Sequence, residues 1–95
     1  MKEKKLITFF FRKKPVLMLI QLAKKDRIKY VSVLAKQVDC TYSHTVRILQ
    51  ELQRARLVQF EKKGRLKIVS LSKEGEEIAS LLENLYKRFE KLEKS

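Results

Sequence analysis

A chain of 95 residues with 44% hydrophobic side chains forms one small domain, and it has too much apolar material for a disordered basic tail. Only two Gly and one Pro are present, which argues against a loop-rich or all-β fold. Its 23 Lys and Arg face 11 Asp and Glu, and the net charge of +12 suits the release of counterions from phosphates, so nucleic acid is the expected partner.

The N-terminal segment contains two apolar stretches. Lys5–Phe11 has poor periodicity, and both strand and helix remain open for it. Pro15 suits the first turn of a helix that we expect to reach about Lys25, with an apolar face after the proline. Leu6–Phe11 and Val16–Leu22 are both shorter than the roughly 18 apolar residues that span a bilayer, so we expect neither a signal peptide nor a membrane partner.

Two further helices are predicted in the middle of the chain. Arg27–Val31 reads as a short extended piece, and Ser32 is a candidate N-cap for a second helix. The expected buried side of that helix holds Val33, Leu34, Ala35 and Val38. Asp39–Thr41 forms a turn, and Thr41 or Ser43 caps a third helix. The inward positions of the third helix have three- and four-residue spacing: Thr45, Ile48, Leu49 and Leu52.

The last third of the sequence predicts a hairpin and a long helix. Leu57–Phe60 and Leu66–Leu71 alternate apolar and polar residues, as half-buried strands do, and Glu61–Arg65 joins them as a loop with Gly64. Ser72 then caps a final helix of about twenty residues, about 30 Å long. The predicted fold is mainly α with a small β-hairpin, in the order α-(β)-α-α-β-β-α.

Three strings in this order resemble the winged helix-turn-helix fold, in particular the MarR-like and related archaeal transcription regulators. LAKQVDCTYSHTVRILQEL is similar to their helix-turn-helix, LVQFEKKGRLKIVSLS to their wing, and KEGEEIASLL to the entry into their C-terminal dimerisation helix. The resemblance covers roughly residues 15–90. It implies a single domain over 1–95, with a winged-helix core at 12–71 and dimerisation elements at 1–11 and 72–95.

The chain departs from the family pattern at two helix ends, where the family often has glycine. Asp39 stands in the turn, and aspartate tolerates left-handed backbone geometry. Arg56 precedes the first wing strand, and left-handed geometry there would cost on the order of 1 kcal/mol. We therefore expect the helix end at Arg56 to be shaped differently.

By this resemblance, the third helix enters the major groove with its N-terminal turn nearest the bases. Arg47 is the expected base reader, because its guanidinium can bond to guanine O6 and N7 together. Tyr42 has an alternative role, with its ring packed over the turn. The remaining candidates for contacts to phosphates or base edges are Thr41, Ser43, His44 and Gln50. In the wing, Lys62, Lys63 and Arg65 surround Gly64 and would meet a narrow minor groove.

The final helix carries an apolar stripe longer than a compact core can cover. The stripe consists of Ile78, Leu81, Leu82, Leu85, Phe89 and Leu92. Residues 72–95 contain five cations and six anions, a net of −1, whereas residues 1–30 contain ten and two, a net of +8. With Phe9, Phe10 and Phe11, the stripe predicts a two-fold homodimer on an inverted-repeat operator, and repression is the default mechanism. Alternatively, it folds back over the chain's own first helix.

Other chemistries find little support in the sequence. Cys40 is the single cysteine, so an internal disulfide is impossible, and we expect it to be a small buried residue of the turn rather than an oxidant sensor. One His and one Cys are too few for a closed metal site, and no catalytic constellation is evident. We therefore expect a non-enzyme without metal or cofactor in the cytoplasm, associated with the nucleoid. No effector is indicated.

Two other classes of function compete with sequence-specific regulation. The cationic N-terminal third would suit an architectural protein that coats double-stranded DNA without sequence preference. A winged helix can also bind protein, in which case the basic face would be incidental. Arg47 and the polar start of the third helix favour a specific DNA-binding regulator over the protein-binding module.

Overall fold

The computed structural model describes residues 12–24 and 28–94, in which there are four helices and three strands. Their order confirms the predicted one, including the short extended piece before the second helix. In chain order they are α1 (Lys13–Leu22), β1 (Ile28–Tyr30), α2 (Val31–Gln37), α3 (Tyr42–Arg54), β2 (Val58–Lys63), β3 (Leu66–Leu71) and α4 (Lys73–Lys94).

The three strands form an antiparallel sheet in the order β1-β3-β2. The β2–β3 hairpin pairs Val58 with Leu71 at its base and Lys63 with Leu66 at its tip. The predicted loop 61–65 was therefore too long, since β2 runs on to Lys63 and only a tight turn at Gly64 and Arg65 remains. The alternation of apolar and polar residues does not reveal this extension, because the outer half of β2 is exposed throughout and has no buried face.

The core lies between the helices and the inner face of the sheet. The final helix contributes Ala79, which is fully buried, and Thr45 is the one buried polar residue in the described part of the chain. Its Oγ1 donates a hydrogen bond to the carbonyl of Thr41 over 2.8 Å, so the burial leaves that hydroxyl satisfied. The largest buried apolar side chains are Met18, Leu19, Leu22, Leu34, Leu49, Leu52, Val31 and Val69.

Three details of the first two helices differ from the prediction. Ser32 is not an N-cap, because β1 continues through Tyr30 and α2 begins at the next residue. Val33, expected on or near the buried side, is 43% exposed. Helix α1 ends at Leu22 rather than near Lys25, and beyond it the N–H of Lys24 bonds to the carbonyl of Gln21, three residues back, in a tighter turn.

Helices α2 and α3 end in the same way. Asp39 has φ of 55° and Arg56 has φ of 65°, the left-handed geometry that favours glycine. Directly after them, the N–H of Cys40 bonds to the carbonyl of Ala35 and the N–H of Leu57 to that of Leu52, each over 2.9 Å. These are the closing bonds of a Schellman motif. Asp39 behaves as expected, whereas the expectation of a differently shaped end at Arg56 was wrong.

A compact junction joins the end of α3, the base of the hairpin and the start of α4. Ser72 Oγ accepts a hydrogen bond from the N–H of Gly75 over 3.0 Å, which confirms Ser72 as the N-cap. The same hydroxyl donates to the carbonyl of Arg56 over 2.7 Å, and the N–H of Ser72 donates to the carbonyl of Leu57 over 2.9 Å. A Cβ atom at Gly75 would lie 2.0 Å from that Leu57 oxygen. Only glycine fits this approach.

We expect Gly75→Ala to lower the free energy of unfolding by about 3 kcal/mol, because the added methyl group must push two backbone segments apart. Urea denaturation measures the change, with the unfolding curves of the wild type and the variant fitted to one common dependence of the free energy on urea concentration. Gly64→Ala is the matched control: its new Cβ meets no atom within 4 Å, and only its φ of 64° opposes the substitution. That variant should lose about 1 kcal/mol. Equal losses in the two variants would contradict the close-contact explanation.

Candidate nucleic-acid interface

Helix α3 presents one buried and one exposed face. Its inward positions, Thr45, Ile48, Leu49 and Leu52, are all buried, as their spacing predicted. The predicted contact residues are all exposed, and the helix places His44, Arg47 and Gln50 on successive turns. The structure therefore brings the candidates together at the start and along the outer side of α3: Thr41, Tyr42, Ser43, His44, Arg47 and Gln50.

The N-terminus of α3 is capped by Thr41 rather than Ser43. Thr41 Oγ1 accepts a hydrogen bond from the N–H of His44 over 3.2 Å. Because the cap uses a lone pair of the oxygen, the hydroxyl can still donate a hydrogen bond to an anionic oxygen. Tyr42, the first helical residue, is 51% exposed. The start of the helix thus offers hydroxyl groups and backbone N–H groups, which suit phosphate oxygens.

The tip of the hairpin is cationic on both strands. Lys62, Lys63 and Arg65 are exposed, as a wing that meets DNA requires. Lys67 pairs across the hairpin with Lys62, and its Nζ lies 5.4 Å from the centre of the Phe60 ring in a cation–π contact. Lys67 was not among the residues predicted from the sequence. The strand alternation around it contained the signal, since a regular hairpin places this lysine beside the wing cations.

A second cationic group lies where α1 meets the start of α3. Arg12, Lys13 and Lys14 line a small cleft that His44 and Ile48 also line. Lys14 Nζ donates hydrogen bonds to the carbonyls of Val38 over 2.5 Å and Asp39 over 2.8 Å, which lie in the helix-turn-helix turn. These three cations were not predicted as contact residues, because no periodicity in the sequence relates them to a helix thirty residues further on.

Helix α4 leaves most of its apolar stripe uncovered. Ile78 and Leu82 are half-buried and pack against the core, whereas Leu81, Leu85, Phe89 and Leu92 are between 52% and 69% exposed. Leu82, Leu85 and Phe89 also line an apolar groove with Val16 and Leu17 of α1. Of the predicted dimer residues, Phe9, Phe10 and Phe11 lie outside the described residues.

The remaining expectations concern Cys40, metal binding and membrane-spanning helices. Cys40 is partly buried against the core. The side chains in ranges 12–24 and 28–94 include no cluster of three or more His, Cys, Asp or Glu that could hold a metal ion. In those same ranges no helix is both long and apolar enough to cross a membrane.

The helix-turn-helix, the paired wing strands and the packed helices define a winged helix-turn-helix protein, as the sequence resemblance implied. A family model described as "Winged helix DNA-binding domain" matches residues 13–75, and the chain belongs to that family. The match begins at α1 and ends in the first turn of α4, so it covers the whole helix-turn-helix and wing. No curated protein sequence matches the chain.

Solved structures extend the likeness to nearly the full chain. AF1382 from Archaeoglobus fulgidus is 24% identical, with 90% of this chain and 97% of that one covered and a TM-score of 0.77. MepR from S. aureus, solved as a DNA complex, is 19% identical, with 95% and 76% covered and a TM-score of 0.74. The adhesin competence repressor AdcR of Streptococcus pyogenes is 13% identical, with 95% and 74% covered and a TM-score of 0.78. At these identities the likeness establishes the fold.

We expect Thr41→Ala to lower the free energy of unfolding by about 1 kcal/mol, because it removes the acceptor for the His44 N–H at the start of α3. Thermal unfolding would show this as a fall of about 4–8 °C in the midpoint for a domain of this size. Ser43→Ala is the matched control, since it removes an exposed hydroxyl from the same turn and leaves the cap in place. A fall of the same size in both variants would show that the cap is not what stabilises this end.

Proposed function

We propose that this protein is a sequence-specific, double-stranded DNA-binding transcription regulator of MarR-like type. It acts as a homodimer on an inverted-repeat operator, most simply as a repressor that blocks polymerase. The observation that carries the proposal is the exposed polar face of α3, with Arg47 at its centre, beside a cationic hairpin in a chain of net charge +12. The MepR–DNA complex supports a DNA partner by analogy of fold.

Base reading is assigned to α3 in the major groove. Arg47 is exposed and lies one turn beyond the N-terminal residues, where its guanidinium can bond to O6 and N7 of one guanine. Tyr42, Ser43 and His44 at the helix start bond to phosphates or to a neighbouring base edge, and Gln50 does so one turn further on. Thr41 donates a hydrogen bond from its hydroxyl group to a phosphate oxygen while it caps the helix.

The wing supplies affinity more than discrimination. Lys62, Lys63 and Arg65 reach the minor groove, where negative potential is concentrated when the groove is narrow. Lys67 adds its charge to this group from the neighbouring strand. Each phosphate neutralised steepens the dependence of binding on salt, without a preference for one sequence.

The homodimer rests on the uncovered stripe of α4. Leu85 and Leu92 are seven residues apart, and Phe89 lies between them, so that one seam of the helix is apolar over two turns. More than half of each of these side chains is exposed, which is unusual for a soluble monomer. Residues 1–11, with Phe9, Phe10 and Phe11, are proposed to complete the interface.

A two-fold dimer places two copies of α3 about one turn of DNA apart, which requires an inverted repeat. Occupancy of such a site at a promoter excludes polymerase, and the similar protein from Streptococcus pyogenes is named a repressor. This role places the protein in the cytoplasm with the nucleoid. An architectural DNA-coating role is the second candidate, favoured by the net +8 of residues 1–30. A protein-binding winged helix is the third.

We expect Arg47→Ala to reduce the preference for the native operator about tenfold or more, because a bidentate contact to guanine is lost. The measurement is fluorescence anisotropy with a duplex from the gene's own upstream region and a scrambled duplex, over a series of salt concentrations. Arg54→Ala is the matched control: this arginine lies in the last turn of α3 and forms an ion pair with Glu51. It should leave the preference unchanged.

The wild-type protein decides between the three candidate functions in the same assay. Preference for the native duplex supports the regulator. Equal, salt-steep binding to both duplexes would contradict sequence specificity and favour the architectural role. Absence of binding at low salt would exclude DNA as the partner and leave the protein-binding module.

We expect Phe89→Glu to convert the homodimer into a monomer, because it introduces a charge into the proposed apolar seam. Sedimentation velocity would show a change from twice the 11.3 kDa chain mass to a single chain. Leu66→Glu is the matched control, since Leu66 is also half-exposed but lies at the tip of the wing. A wild-type protein that sediments as a monomer would refute the proposed dimer.

A further inference from the structure

The side chain of Lys14 reaches from α1 to the helix-turn-helix turn. Its Nζ donates hydrogen bonds to the carbonyls of Val38, over 2.5 Å, and Asp39, over 2.8 Å. These two partners lie 24 and 25 positions further along the sequence. Lys14 is itself half-buried, unlike Lys13 beside it, which is exposed.

Both carbonyls lie just beyond the C-terminal end of α2. The last carbonyls of a helix have no N–H donor within the helix. Helix α2 ends at Gln37, directly before Val38. An ammonium group at a helix C-terminus is also favoured by the helix dipole. Bonds from a charged donor are shorter and stronger than neutral ones. Lys14 therefore fixes the end of α2 from outside the helix-turn-helix.

The position of this contact links it to the recognition helix. Asp39 has left-handed φ of 55°, and only Cys40 separates it from Thr41, the N-cap of α3. The start of α3 is thus held through the turn by the first helix, which packs in the core through Met18, Leu19 and Leu22. A shift of the turn would change the position of His44 and Arg47.

We propose that Lys14 is a positioning residue for base reading by α3. It acts through the turn and does not itself meet the DNA. This inference rests on the proposed function, since it concerns how a DNA-reading helix is held. Removal of the ammonium group would leave two carbonyls without their donor and let α3 take up several positions in the groove. Discrimination between bases, which depends on exact placement, would fall more than overall affinity.

The competing explanation is that Lys14 is one more cation for phosphates. Lys14, Lys13 and His44 line the same cleft, so a charge effect would act on the two lysines alike. The two explanations differ in measurable terms. A phosphate contact contributes to the salt slope and weakens all sequences uniformly when removed, whereas a positioning residue changes the ratio between sequences.

The experiment compares Lys14→Met with Lys13→Met in the full-length protein. Both variants lose one positive charge from the same end of α1, and only the first loses the two bonds to the turn. For each we measure the ratio of affinities for the native and scrambled duplexes, and the salt slope with the scrambled duplex. Lys14→Arg tests rescue, because its guanidinium can donate to two carbonyls. Thermal unfolding confirms that each variant is folded at the assay temperature, and Lys14→Ala, which also has no side-chain donor, replaces the methionine variant if that one does not fold.

In Lys14→Met we expect the ratio to fall about tenfold, comparable to the loss of one bidentate base contact, with an unchanged salt slope. Lys14→Arg should restore the ratio, and Lys13→Met should keep it. A preserved ratio in Lys14→Met, or a reduced salt slope with equal weakening of both duplexes, would overturn the positioning role alone. A wild-type protein without preference would overturn the proposed function as well, so the two failures are distinguishable.

Discussion

The carbonyl group of Leu57 is the point at which the main parts of the molecule meet. It accepts a hydrogen bond from the N–H of Ser72, and it lies so close to Gly75 that no side chain fits between them. Leu57 follows the end of α3, whereas Ser72 and Gly75 begin α4. The helix proposed to read DNA and the helix proposed to bind a second copy are therefore joined through one rigid contact. With so short a path between them, the geometry of a dimer would fix the separation of its two reading helices.

Helix α3 is held in a comparable way at its other end. There the turn residues Val38 and Asp39 accept hydrogen bonds from Lys14 of α1. Both ends of the helix adjoin a non-glycine residue with left-handed geometry, Asp39 before it and Arg56 after it. Arginine in that geometry costs on the order of 1 kcal/mol. Two hydrogen bonds offset this cost at Arg56. Ser72 Oγ donates to the Arg56 carbonyl, and the N–H of Leu57 donates to the Leu52 carbonyl.

Sequence patterns predicted most of the features that depend on burial or on a local hydrogen bond, although the cap at Ser32 and the burial of Val33 were predicted wrongly. The periodicity of α3, the cap at Ser72 and the presence of a two-stranded wing follow from side chains near one another in the chain, and of the two predicted caps for α3 the structure has Thr41. The predicted contact residues of α3 and the wing are exposed, although their roles remain predictions. The extent of β2 could not be predicted, because Glu61, Lys62 and Lys63 are held by pairing with β3 rather than by a buried face. Lys14 was missed because its partners are distant in sequence.

The charge of the chain explains why such rigidity matters for the proposed function. A net charge of +12 provides affinity for any duplex, and this part of the binding energy does not depend on sequence. Further lysines would strengthen binding to every site alike, so they cannot improve the choice among sites. In the proposed function, discrimination comes from groups such as the Arg47 guanidinium, whose proposed bonds to a base would tolerate little displacement. If so basic a protein is a selective regulator, as proposed, its selectivity would depend on how firmly α3 is held, and the contacts near its two ends are the ones placed to hold it.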